Sequence, residues 1–188
     1  MENFEKELNF IRDEETRNWT KEVLDKVSPK FFEEAASTTG KYHPSYALGE
    51  GGLYRHTVAA VKIAECLRDN KSVHNMSNAT VDLCIAALIL HDCCKCGKNW
   101  ESKYTKHNHP ILAAELVEEV LGNDCEYGSK KSEYISRVCD MIKSHMGQWT
   151  TCKWDKTVLP EPRSEEDKFV HLCDYLASRK FIEINFEE

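Results

Sequence analysis

The sequence predicts an all-α fold in one compact domain. Apolar residues recur at three- and four-residue steps along nearly the whole chain, no segment sustains an apolar/polar alternation, and serines and glycines stand where helices would begin and end. With 188 residues, 41% of them hydrophobic, the chain can bury about 70% of the surface its unfolded form exposes. A core can therefore form without disulfide or oligomeric support.

The elements follow in order. Phe4, Leu8, Ile11, Trp19, Val23 and Val27 mark one long or broken amphipathic helix ending near Val27. Ser28-Pro29 restarts the chain as an N-cap followed by proline at the first helical position, leading a short helix through Phe31, Phe32 and Ala36. Residues 40–52, with Pro44 and glycines at 49, 51 and 52, read as a loop. Helices are expected over about 53–69, 79–94, 110–121, 132–145 and 165–182. Gly97, Gly122 and Gly147 stand where left-handed caps would stop three of them, and Ser164 precedes the acids Glu165, Glu166 and Asp167 at the start of the last. The long irregular stretch 147–163 carries Trp149 and Trp154, which either pack onto the domain or stack on a ligand.

Composition narrows the function. Against 25 basic side chains stand 32 acidic ones, a net charge of −7, which disfavours broad electrostatic binding to nucleic acid or an anionic membrane. The longest apolar run, Leu83 to Leu90, is far short of the roughly 20 residues that span a bilayer, and Met1-Glu2-Asn3-Phe4-Glu5-Lys6 lacks a signal pattern. A cytoplasmic protein is expected. Nine cysteines form an odd set without paired disulfide spacing, and Cys93-Cys94-x-Cys96 has no second pair at zinc-finger distance, so reduced, packed thiols are expected. Gly49-Glu50-Gly51-Gly52 lacks the Lys-Ser/Thr of a nucleotide P-loop.

The chemistry lies in where the histidines fall on these helices. His56 fills the missing place in the stripe Leu53, Ala60, Ile63, Leu67. His91 and Asp92 emerge from a very apolar segment, His145 extends the face of Val138, Met141 and Ile142, and His109 stands at a helix entrance before Pro110. Asp174 is flanked by Val170 and Ala177. A lone inward histidine is ordinarily satisfied by a carbonyl; an inward aspartate costs several kcal/mol unless paired or bound to a cation. Four such histidines and two aspartates, with no matching set of inward arginines or lysines, call for a divalent metal. An imidazole and carboxylate set favours iron, manganese, zinc or another first-row ion over calcium.

The series His56 … His91-Asp92 … His109 … His145 … Asp174 resembles the HD-domain superfamily of metal-dependent phosphohydrolases, an all-helical fold named for its His-Asp doublet. His91-Asp92-Cys93-Cys94-Lys95 fits the frequent His-Asp-x-x-Lys form, Arg55-His56-Thr57 and His109-Pro110 stand in the family's order, and the chain closes on an aspartate in a C-terminal helix. The likeness covers about residues 43–182. It implies a metal-binding catalytic domain at 43–188 and an N-terminal accessory helical segment at 1–42 packed on the core.

The six-residue set is similar to the dinuclear subgroup. By that resemblance His56, His91, Asp92 and Asp174 hold a first divalent transition-metal ion, Asp92 bridges to a second, and His109 and His145 complete it; His107 is the competing candidate for the role of His109. Paired metals clamp a phosphoryl group and activate water. Lys95, then Arg179 and Arg55, are the candidates for contacts to phosphate oxygens, with Asp92 and Lys95 expected to carry the chemistry. The expected substrate is a small phosphorylated or nucleotide-like molecule, with RNA ends a lesser option and no membrane partner; the sequence carries no oligomer signal. Two other classes share the ligands: an HD-type di-iron oxygenase, and a noncatalytic metal-stabilised nucleotide-binding protein.

Overall fold

The structure, a computed structural model, describes residues 4–37, 40 and 43–182; the first three residues, 38–39 and 41–42 near the start of the expected glycine-rich loop, and the last six residues lie outside these. Among the described residues there are seven α-helices and no strands: α1 (Glu5–Leu8), α2 (Glu14–Leu24), α3 (Gly52–Leu67), α4 (Asn78–Leu90), α5 (His109–Leu121), α6 (Lys130–Ser144) and α7 (Glu165–Ala177). The all-α expectation holds. None of these helices is long and apolar enough to cross a membrane.

The centre of the bundle is α4. Ten successive residues, Val81–Leu90, are buried, as expected of a helix that is apolar on all sides. It packs against α2, α3, α6 and α7, while α5 lies along α6. Side-chain caps begin four of the helices: Asp13 accepts from the Thr16 N–H for α2, Ser77 from Thr80 for α4, and Ser129 from Ser132 for α6. Ser164 and Asp167 exchange bonds in a capping box at α7.

Several helix ends differ from the sequence reading, each for a local reason. The N-terminal helix is broken at 9–13, where Asp13 caps α2. After Leu90 the chain tightens, with N–H groups of Cys93, Lys95 and Gly97 bonding carbonyls three residues back, so α4 stops short of Cys94. Gly122 is right-handed (φ −76°) and continues α5 into a 3₁₀ turn; the left-handed glycine of that connection is Gly128. The final helix ends at Ala177 rather than 182, because Ser178 leaves helical geometry and turns its Oγ back onto the Tyr175 carbonyl.

The N-terminal helices share the main core. Phe4, Leu8, Ile11, Val23 and Phe31 are buried, and Phe4 meets Phe31, Phe32 and Tyr54 with ring centroids 4.9–5.8 Å apart. A buried polar cluster ties this segment down. Arg68, 1% exposed, donates to Asp82 Oδ1 (2.8 Å), to Glu65 Oε2 (2.6 Å) and to the Phe10 carbonyl (2.6 Å). The other Asp82 oxygen accepts the backbone N–H groups of Arg12 and Asp13. An inward arginine therefore exists, contrary to the sequence reading, but it answers a third inward carboxylate on α4 and leaves the two of the proposed site unpaired by it.

Removing one partner of a buried ion pair leaves the other charge uncompensated. Asp82→Asn should lower the free energy of urea unfolding by about 3 kcal/mol, and the double change Arg68→Met with Asp82→Leu should recover part of the loss. Unchanged stability of the single variant would show that the cluster is solvated rather than buried.

Candidate metal centre

The six candidate ligands arrive from five places in the bundle. His91 caps the C-terminal end of α4 and Asp92 follows it; His145 does the same for α6; His109 opens α5; His56 lies early in α3 and Asp174 late in α7. All converge on one point. The four histidines and Asp92 are 2% exposed or less, and the Asp174 side chain is 18% exposed.

Helix ends orient three of the imidazoles. His91 Nδ1 donates to the Leu88 carbonyl (2.6 Å), His109 Nδ1 to that of Lys106 (2.6 Å) and His145 Nδ1 to that of Ile142 (2.7 Å). Each bond reaches back three residues and fixes the proton on Nδ1, so Nε2 faces the centre. There His109 Nε2 lies 2.9 Å from Asp92 Oδ1 and 3.3 Å from His145 Nε2, and His145 Nε2 is 3.9 Å from Asp92 Oδ1. His91 Nε2 is 3.5 Å from Asp92 Oδ2 and equally far from Asp174 Oδ1, which also meets His56 Nε2 at 2.9 Å.

Burial alone would raise both carboxyl pKa values. Lys95 and His91 outweigh it at Asp92, and His56 and His91 at Asp174, holding both well below the usual carboxylate range. Burial also disfavours charge on His91, but Asp92 and Asp174 together push its pKa up to about 10. His145, buried beside His91, is pushed down to about 3.

These residues fit a divalent cation. His91 Nε2 and Asp92 Oδ1 are shut from water with no aligned hydrogen-bond partner, and His109 Nε2, its proton held on Nδ1, meets Asp92 Oδ1 lone pair against lone pair. Three sets have donor atoms within 4.8 Å of one another: His56, His91 and Asp92; His91, His145 and Asp174; and Asp92, His109 and His145. The donors are nitrogen and oxygen, the chemistry of a first-row metal. Cys93 and Cys94 are buried beside the doublet, and the contact with Cys94 together with burial holds the Cys93 thiol well above its ordinary range. Packing describes them.

A cavity of about 550 Å³ opens onto the cluster, its wall including His56, Asp92, His109, His145 and Asp174. Lys95 lies on the wall and pairs with Asp92. Arg179 also lines it, with its guanidinium 4.2 Å from the centre of the Tyr175 ring. Arg55 is brought elsewhere: it is not among the lining residues, and it donates to the carbonyls of Tyr46, Leu48 and Glu50, fastening the loop before α3. Gly52 at that junction has no room for a side chain, since a Cβ would stand 2.4 Å from the Ala47 carbonyl oxygen. His107, the alternative to His109, bonds the Thr150 carbonyl and is in none of the three sets.

His43 was outside the sequence motif, yet it lines the cavity, with its ring centroid 5.6 Å from that of His56. Burial and neighbouring His56 push its pKa down to about 4. It sits in a loop, where helical periodicity carries no signal. A groove of about 610 Å³ beside α1 and α2, walled by Phe4, Leu8, Lys21 and Phe32 among others, holds none of these clusters.

The HD domain, as a family model, matches residues 53–179, about two thirds of the chain. No curated protein and no solved structure matches.

Two outcomes follow for metal binding. Asp92 belongs to two of the three sets, so Asp92→Ala should weaken retention of manganese or ferrous iron by more than about 100-fold, beyond the roughly 10- to 100-fold loss typical of a mere supporting residue. His91 holds a proton up to about pH 10 in the cation-free protein, and a metal must displace it. Apparent affinity, titrated against a competing chelator, should therefore rise about tenfold per pH unit below that value; a flat profile would remove His91 from the ligands.

Proposed function

This chain belongs to the HD-domain family, and we propose that it is a metal-dependent phosphohydrolase, a phosphomono- or phosphodiesterase acting on a small nucleotide-like substrate. HD domains are commonly enzymes of this kind. The observation that carries the reading is a cavity whose wall joins the His/Asp cluster to the cations Lys95 and Arg179. Such a place suits an anionic ester whose phosphoryl group meets metal and ammonium together.

In this reading His56, His91, Asp92 and Asp174 hold a first ion, and Asp92 is shared with a second held by His109 and His145. When bound, such a pair supplies electrophilic stabilisation of phosphoryl oxygens and a water acidic enough to react at neutral pH. The chain's own work is placement. The carbonyls of Leu88, Lys106 and Ile142 keep three imidazoles in one tautomer, and the buried setting strengthens each charge interaction. Lys95 is placed to hold its ammonium on a phosphate oxygen while remaining near Asp92, and Arg179 to meet a more distant anionic group. Asp92 and Lys95 thus carry the chemistry, within a catalytic unit of residues 43–188 to which 1–42 is an accessory segment. The net charge of −7 supports a small substrate over long RNA.

The test is elemental analysis of protein purified without chelator, followed on the same sample by a phosphoester panel with oxygen uptake recorded in parallel. Two first-row ions per chain and release of phosphate or nucleoside are expected. Metal-loaded protein that consumes oxygen and cleaves no ester would assign an oxygenase instead, and nucleotide binding without turnover a noncatalytic binder. Within the panel, Lys95→Ala should keep metal content and thermal stability while lowering kcat by about 100-fold, the scale of one lost transition-state donor; full activity would reduce Lys95 to a partner of Asp92.

A further inference from the structure

The chain leaving α6 folds back onto α7 beside the cavity. Gly147 takes φ +62°, and a Cβ there would stand 2.2 Å from the His171 ring. The same ring donates through Nδ1 to the His145 carbonyl (2.7 Å). The Trp149 N–H bonds the Met146 carbonyl (3.2 Å), and the Leu159 N–H bonds that of Thr150 (2.8 Å), with Leu159 itself buried. The segment is held at both ends and in its middle.

This frame fixes an aromatic stack. The Trp149 indole lies nearly parallel to the Tyr175 ring, 15° apart in plane and 6.0 Å between centroids, and the Arg179 guanidinium rests on Tyr175. His171 meets both rings at a tilt. Despite this packing Trp149 remains 44% exposed, and it forms part of the wall of the cavity that contains Asp92, His109 and Asp174. An aromatic side chain present only to fill a core ends up covered. Here a rigidly backed indole is left half open in a cavity whose wall includes five residues of the metal-suited cluster, which is the arrangement that favours stacking at low entropic cost.

We infer that Trp149, backed by Tyr175, is the platform for a planar ring in the substrate, and that it makes the site select phosphate esters bearing an aromatic ring over those bearing only a sugar or alkyl group. The inference rests on the phosphohydrolase reading of the cavity. Trp149 takes no part in the bond cleavage: it determines specificity, and Tyr175 positions it.

The experiment compares a nucleoside 5′-monophosphate, 4-nitrophenyl phosphate and ribose 5-phosphate on the metal-loaded wild type and on Trp149→Ala, Trp149→Leu and Trp149→Phe. The ratio of kcat/KM for ring-bearing over ring-free ester should fall about tenfold in the Ala and Leu variants, through KM, and stay within about twofold in the Phe variant, as one lost aromatic stack requires. A fall confined to the nucleotide assigns a nucleobase, and a fall for both aromatic esters assigns any aryl ring; either supports the platform. Equal losses on all three esters, or an unchanged ratio, overturn it. Calorimetric binding of the nucleoside monophosphate and ribose 5-phosphate separates this from the hydrolase reading. If no ester turns over, tighter nucleotide binding that depends on Trp149 keeps the platform while the hydrolase reading falls, and equal binding of both ligands removes the platform. The Leu variant, apolar and bulky, keeps the test open should Ala fail to fold.

Discussion

A buried carboxylate facing imidazole lone pairs is the constraint from which the rest of this structure follows. Asp92 sits at the inner end of the most apolar helix in the chain, where no water reaches its Oδ1. Lys95 donates to its other oxygen, but Oδ1 faces imidazole nitrogens, and three of the four nearby imidazoles have spent their Nδ1–H on backbone carbonyls. Such a centre is electrostatically unfinished without a cation.

The same helix shows what a finished solution looks like. Asp82, near the start of α4, is as buried as Asp92, but three donors, one from Arg68 and two from the Arg12 and Asp13 backbone, bear on it. Two carboxylates, one within α4 and one just beyond its end, thus have opposite environments: one closed by the protein alone, the other among histidines in an arrangement that fits a divalent cation. The first fastens the start of α2 and the end of α3 onto α4; the second draws candidate ligands from separate helices to one place.

Much of this was legible because it is local. Periodicity found the five long helices, serine caps mark the starts of three of them, and the histidines and Asp174 fall on apolar faces that must turn inward. Helix ends were read less well, since the stop at Leu90 depends on successive tight turns and that at Ala177 on the conformation of Ser178. What escaped entirely was distant in sequence. Arg68 reaches Phe10 across 58 residues and Asp82 across 14; its only sign was a single acid within an otherwise apolar α4. His43 comes to the cavity from a loop without periodic pattern. Arg55, adjacent to a ligand, points instead to three carbonyls, a placement set by the loop that folds over it.

The contact between Gly147 and His171 bears on how this sequence can drift. With a Cβ at 147 and an imidazole at 171 occupying the same space, neither position can vary alone in every direction. A side chain becomes admissible at 147 only after 171 has become small, and a small residue at 171 gives up the donor that steadies the His145 carbonyl at the end of α6. The path between the two pairings thus crosses an intermediate in which a candidate ligand is less firmly held. The two sites form a linked pair, open to joint replacement and closed to most single steps.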